Sequence, residues 1–117
     1  MFYQVVDKKG DARNYLETSG TALIAYGLLK GVRLGYLPKR FEEIAMKAFD
    51  GITNTYLSRN EDGTPKLGGI CLVAGLGGPQ HRDGSLEYYF SEPVVENEAK
   101  GVAPLILLYT EILRINK

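Results

Sequence analysis

A chain of 117 residues with 14 Lys plus Arg against 14 Asp plus Glu is electrically neutral, and neutrality gives no basic footprint for nucleic acid or an anionic membrane surface. At 44% hydrophobic residues the chain can bury a core, which argues against disorder. No apolar run approaches the roughly 20 residues that a spanning helix needs, and no leader peptide is visible, so a cytoplasmic location is the expectation.

The chain opens on Met1-Phe2-Tyr3-Gln4-Val5-Val6, which reads as extended structure, followed by the turn-forming run Asp7 to Asp11. Glu17-Thr18-Ser19-Gly20 comes next, and Thr18 and Ser19 are natural helix caps because a hydroxyl accepts from unpaired first-turn amides. A helix is expected over 22–36. Its apolar residues Leu23, Ile24, Ala25, Tyr26, Leu28, Leu29, Val32 and Leu34 lie on nearly every face, so it should be buried all round. Gly20, Gly27, Gly31 and Gly35 suggest close packing. After Pro38, suited to a first helical turn, apolar residues recur at three- and four-residue steps from Phe41 through Ile44, Ala48 and Ile52 to Tyr56. Charged residues occupy the other side. The spacing predicts an amphipathic outer helix that forms an αα-hairpin with the inner one.

Residues 58–66 read as loop and 67–73 as a short buried strand that contains the single cysteine, Cys71. That cysteine has no internal disulfide partner. It is a small hydrophobe with no His, Lys or Arg adjacent in sequence to activate its thiol. The glycine run at 75–78 lacks the Lys-Ser/Thr of a phosphate loop and the third glycine of a dinucleotide fingerprint. With one Cys and one His, no sequence-local zinc site is expected. Tyrosines favour a strand over 85–90, in which one of Tyr88 and Tyr89 points inward. A helix is expected over 102–115, with Pro104 in its first turn. Alternatively it begins one turn earlier, capped by Asn97, and Pro104 marks a kink.

Thirteen residues, 81–93, concentrate polar and aromatic chemistry, and two readings stand for each. His81 is the rim of a pocket or a surface loop residue. Arg82 forks onto a carboxylate ligand or pairs with Asp83 to stabilise a turn. Tyr88 packs against a ligand or joins the core. Glu87 and Glu96 read as structural, and Glu92, just before Pro93, as a residue that supports a site side chain or caps a helix. Glu17 and Ser19, at the start of the inner helix, either help to receive an anion at the helix N-terminus or serve as an ordinary cap. Three helices do not enclose one that is apolar on all sides, and each aliphatic side chain left wet forgoes roughly 1.5–3 kcal/mol. The expectation is a slice of a larger ring, or a module that self-associates.

Several stretches resemble the C-terminal part of the unsaturated glycuronyl hydrolases, glycoside hydrolase families 88 and 105, with family 105 (unsaturated rhamnogalacturonyl hydrolases) the closer. They are Asn14 to Ala22, Lys30 to Leu37, Ala74 to Gly78, Arg82-Asp83-Gly84-Ser85, Glu87-Tyr88-Tyr89, Ser91 to Asn97 and Lys100-Gly101-Val102. The resemblance implies a mainly α chain that forms the C-terminal third of an (α/α)6 barrel, residues 1–117 being a single segment of it with a short β-hairpin-bearing loop. It implies an unsaturated uronic-acid oligosaccharide as substrate, hydrated at its carbon–carbon double bond without metal or organic cofactor. It also implies that the proton-donating aspartate lies in the first two thirds of the barrel. This chain has no Trp and no carboxylate that inherits that role, so by itself it is expected to be inactive. The sequence-level alternative is a non-catalytic, self-associating or sugar-binding remnant. The candidate ligand contacts are His81, Arg82, Asp83, Tyr88, Glu17 and Ser19.

Overall fold

The computed structural model describes residues 1–115. Three long helices carry the fold: α1 (Thr18–Arg33), α2 (Arg40–Tyr56) and α4 (Ala99–Ile115). Between α2 and α4 lie β1 (Leu57–Arg59), β2 (Pro65–Leu67), β3 (Ile70–Cys71), the short helix α3 (Leu86–Ser91) and β4 (Val94–Val95). β1 and β2 form an antiparallel hairpin with Leu57 opposite Leu67, and β3 pairs antiparallel with β4, Ile70 opposite Val95. Among the described residues no helix is long and apolar enough to cross a membrane.

α1 is the central element and packs on both α2 and α4. It starts four residues earlier than the apolar pattern indicates, and its cap is Glu17 rather than Thr18 or Ser19. The Glu17 carboxylate accepts from the amides of Ser19 (3.0 Å) and Gly20 (2.6 Å). Thr18 is instead buried and tied to the Gly68-Gly69 turn: its hydroxyl donates to the Gly68 carbonyl (2.7 Å) and its amide to that of Gly69 (2.8 Å). The helix ends at Arg33, three residues short of Tyr36, in a Schellman turn. Gly35 takes φ +76°, its amide donates to the Val32 carbonyl, and the Tyr36 amide donates to that of Gly31.

Small residues at the crossings let the helices approach. Ala25 and Leu29 of α1 meet Ala45 and Ala48 of α2 and Leu108 and Ile112 of α4. A second cluster joins Ala22, Ile52, Leu67 and Ile70 and seats the strands on the helices. Leu29, Ile52, Ile70 and Leu108 are fully buried, each stabilising the fold by about 1.5–3 kcal/mol. Arg33 crosses to Glu111 with two hydrogen bonds, Nε to Oε2 at 2.6 Å and Nη2 to Oε1 at 3.0 Å, and Arg114 adds a third at 2.7 Å. Glu111 is completely buried. The Arg33 guanidinium, opposed by burial, holds its carboxyl below the ordinary glutamate range. Because Arg33 and Glu111 both lie toward the C-terminal ends, and Ser19 and Lys100 flank one hollow at the N-terminal ends, α1 and α4 run parallel.

α1 is not enclosed. Leu23 is 55% exposed, and on α4 Ile106 is 59% exposed; Ile24 of α1 and Leu107, Tyr109 and Leu113 of α4 are exposed as well. Of the four glycines in the α1 region, Gly31 meets Leu37 and Gly20 meets its own cap, but Gly27 faces open space, so close packing explains only part of that pattern.

Three further expectations change. The strand over 67–73 is two strands in two different sheets, broken by Gly68-Gly69. Gly69 takes φ +69°, and a Cβ there would meet the Tyr56 ring at 2.5 Å. The hairpin lies at 57–67, where the sequence suggested loop. Residues 85–90 are not a strand: Ser85 caps α3 by accepting from the Tyr88 amide (3.1 Å), so the face-alternation argument for the tyrosines does not apply. α4 starts at Ala99, which places Pro104 beyond its first turn. Glu98 caps it by accepting from the Lys100 amide at 2.6 Å. Asn97, at φ +55°, bridges to β2 instead, accepting from the Leu67 amide and donating to the Pro65 carbonyl.

Candidate functional site

β3 leads out of the core into residues 72–93, which form a shelf above the N-terminal ends of α1 and α4. The shelf turns at Gly77, whose amide donates to the Arg82 carbonyl (2.7 Å), and at His81, which takes φ +49° with its amide on the Gly78 carbonyl (3.0 Å). The chain then returns along α3 and rejoins β3 through β4. An open cleft here has a volume of about 430 Å³ and is lined by Leu72, Val73, Gln80, Arg82, Tyr88 and Glu92, among others.

The polar groups of this cleft hold each other in place. Arg82 Nη2 donates to Gln80 Oε1 (2.5 Å), and its Nε lies 3.9 Å from Glu92 Oε1. Tyr88 Oη accepts from the Gly75 amide at 3.0 Å. Its partial burial, with Glu92 alongside, pushes the hydroxyl pKa up, so Tyr88 stays protonated. Arg82 also runs under Gly75, where a Cβ would meet Nη1 at 3.1 Å. The result is a guanidinium whose fork is only loosely engaged by Glu92, beside an aromatic ring and a hydroxyl. That set can hold a carboxylate through Arg82 and an apolar sugar face against the ring.

The candidates from sequence therefore separate. Arg82 and Tyr88 come together in the cleft. His81 is exposed on the outer turn and does not line it. Asp83 does not pair with Arg82; it accepts from the Ser85 amide (2.9 Å), and Ser85, through its side chain first and its amide second, lowers the Asp83 pKa. Glu17 and Ser19 lie at the start of α1. The Glu17 carboxylate takes four donors: the Ser19 amide and hydroxyl, the Gly20 amide and the Cys71 amide. Nearly full burial (5% exposed) completes its enclosure. The α1 N-terminus is thus already supplied with an anion by the chain itself, and Glu17 bolts the helix to β3 just before the cleft wall. Sequence reasoning read Glu92 as a residue that supports a site side chain or caps a helix, without naming its partner, and left Gln80 unremarked. The signal for Glu92 was available as a carboxylate between a serine and a proline at the foot of the same loop. Gln80 had none. Among the described residues no group of three or more metal-ligating side chains converges.

The family model described as Glycosyl Hydrolase Family 88 matches residues 1–116. Protein Atu3128 of Agrobacterium fabrum is 44% identical over 119 aligned residues, covering 97% of this chain and 51% of that protein. The 24.9 kDa protein in picA locus of Rhizobium radiobacter matches equally. The chain thus spans about half the length of these curated relatives. A solved family 105 glycoside hydrolase of C. acetobutylicum superposes with a TM-score of 0.91 at 50% identity, over 97% of this chain and 31% of that one. A possible member of family 105 from Klebsiella pneumoniae superposes at 0.75 and 31% identity, over all of this chain and 27% of that one. Three long helices, a small hairpin and a polar shelf are therefore an arrangement shared with part of the six-hairpin α/α barrel of these enzymes, and the chain belongs to glycosyl hydrolase family 88.

Proposed function

We propose that these residues form the C-terminal part of an (α/α)6 barrel that hydrates the terminal unsaturated uronic acid of pectin-derived, rhamnogalacturonan-type oligosaccharides. The cleft at 72–93 would receive the substrate's carboxylate on Arg82. The observation that carries the reading is the Arg82 guanidinium, open on one side and braced by Gln80 and Glu92, beside Tyr88 in a shared cleft. In the reaction that the resemblance implies, a proton adds to one carbon of the double bond and water to the other. The hemiketal then opens and releases the neighbouring sugar. Arg82 orients the substrate, Tyr88 offers ring and hydroxyl, and Glu92 keeps Arg82 aimed. The proton donor is none of these groups. The exposed apolar side chains Leu23 and Ile24 of α1 and Ile106 and Leu107 of α4 favour further inner helices closing the ring against α1 and α4, and self-association is the rival way to cover them.

Calorimetric titration with an unsaturated galacturonyl-rhamnose disaccharide tests the reading. Binding by the chain is expected without loss of the conjugated-enoate absorbance, and Arg82→Ala should weaken it at least about tenfold, the loss of one charge-assisted pair. Turnover by the chain alone, or binding indifferent to Arg82, would contradict the proposal.

A further inference from the structure

α3 carries Tyr88 into the cleft but has little to rest on. It has six residues and buries none of them. Toward the N-terminal segment its packing is incomplete, because a hollow of about 330 Å³ lies between Gln4–Asp7 and the side chains of Leu86 and Tyr89. A helix this short is marginal by itself, so contacts made by its side chains must hold it. On the cleft side the Tyr88 hydroxyl meets the Gly75 amide at 3.0 Å. From the N-terminal segment, α3 is reached by Arg13.

Every nitrogen of the Arg13 guanidinium is engaged. Nε and Nη2 donate to the two Asp11 carboxylate oxygens at 3.0 and 2.8 Å, and Nη1 donates to Glu87 Oε2 at 2.6 Å. The guanidinium also lies over the Phe90 ring, 4.8 Å from its centre. Glu87 and Phe90 are three residues apart on α3, hence neighbours on its surface, so one side chain grips the helix at two points. Asp11 holds the guanidinium in its plane, a fork that a lysine does not reproduce. The Arg13 side chain in turn holds the Asp11 carboxyl pKa down to about 2. The foot of this clasp is fixed to the framework. Asn14 donates to the Val5 and Lys8 carbonyls (2.8 and 2.9 Å), and the Glu17 amide donates to the Phe2 carbonyl (2.9 Å). The Phe2 amide donates to Thr21 Oγ1 of α1 (2.9 Å). Arg13 thus joins α3 to the start of α1.

We propose that Arg13 is a positioning residue of the Arg82–Tyr88 cleft: by gripping Glu87 and Phe90 it holds α3 where Tyr88 stays on Gly75. The nature of the ligand rests on the proposed function, but the clasp itself does not. The Arg13 side chain is 46% exposed and that of Glu87 80%. The pair therefore has the strength of a surface contact, reinforced by the Phe90 ring, and salt reaches it. Ionic strength should act on the shape of the cleft through this one clasp.

The test is amide hydrogen exchange of the chain without ligand. It is read at Tyr89, whose amide donates to the Ser85 carbonyl, and at Gly75, whose amide reports the Tyr88 hydroxyl. Arg13→Ala is expected to speed both at least about threefold, with exchange at Leu29 in α1 showing that the variant is folded. Raising salt from about 10 mM to about 0.5 M should speed both amides in the unaltered chain and have no such effect in Arg13→Ala. Lys47→Ala, which breaks the exposed pair with Glu43 on α2, should leave both amides unchanged. Affinity for the unsaturated disaccharide should fall about threefold or more in Arg13→Ala, and adding Glu87→Gln should weaken it little further. Exchange that ignores Arg13, or a salt effect that persists in Arg13→Ala, overturns the clasp whatever the disaccharide does. If exchange depends on Arg13 while disaccharide binding depends on Arg82 alone, Arg13 does not position the cleft and the proposed function stands. If exchange depends on Arg13 while the disaccharide ignores Arg82 or does not bind, the clasp on Tyr88 stands and the uronate reading falls.

Discussion

The helical framework and the shelf at 72–93 are built on different principles. α1, α2 and α4 are joined by apolar contact: Leu29 and Leu108 are fully buried among alanines, and the buried Glu111 is gripped by two arginines. The shelf buries no side chain fully; the last buried residue before it is Cys71 of β3. It is held by hydrogen bonds from Gly75 to Tyr88, Arg82 to Gln80 and Ser85 to Asp83, by the Arg82–Glu92 approach and by the Arg13 clasp. The contrast teaches where each kind of change is felt. Framework changes are read as stability, whereas shelf changes are read as ligand recognition.

The comparison is broken most forcefully at Leu29. Leu29→Ala leaves a void at the meeting of three helices and should cost about 3–4 kcal/mol, whereas Leu76→Ala on the shelf, where the side chain is largely exposed, should cost under about 0.5 kcal/mol. Denaturant unfolding of the two variants measures both. Next, Arg33→Ala leaves Glu111 with only Arg114 and should cost about 2–3 kcal/mol. The same pair gives a pH signature. The folded Glu111 carboxyl lies below its ordinary value of 4.5, so its stabilisation is present in full above that value. It is lost as pH falls through 4.5 and on through the folded pKa. Glu111→Gln should flatten that acid limb of a stability–pH curve. Smaller again is Gly101→Ala, where a Cβ would strike Ile70 Cδ1 at 2.5 Å. Overpacking of about 1–2 kcal/mol is expected there, read as a lower thermal midpoint. Arg82→Ala, like Leu76→Ala a shelf change, should cost little stability, under about 1 kcal/mol, and it is the change that should remove uronate affinity.

Legibility in the sequence followed the same division. The inner and outer helices were plain because periodicity reports burial, and α2 matches its amphipathic pattern closely. The faces left uncovered on α1 were also legible, since an all-round apolar helix has no side on which water is tolerated. The shelf was not. Tyr88 and Tyr89 counted as strand formers, yet the Ser85 cap and Glu87 in the first turn outweighed that propensity and made α3. Thr18 looked like a cap because hydroxyls usually are. Glu17, one residue earlier, reaches both the helix amides and the Cys71 amide 54 residues away, and no local pattern announces such a contact. Arg82 and Tyr88 were picked out from their residue types. Their partner Glu92 was read as a supporting or capping residue, but a separation along the chain did not say which side chain it would approach.

The account rests most directly on the Arg82 guanidinium, and its Nε–Hε resonance can be followed by nitrogen–proton correlation NMR as unsaturated galacturonyl-rhamnose is added. A saturable shift of that resonance, absent when a neutral rhamnoside replaces the disaccharide, is the predicted result. An Arg82 signal that stays still while the disaccharide binds elsewhere would contradict the assignment of the cleft.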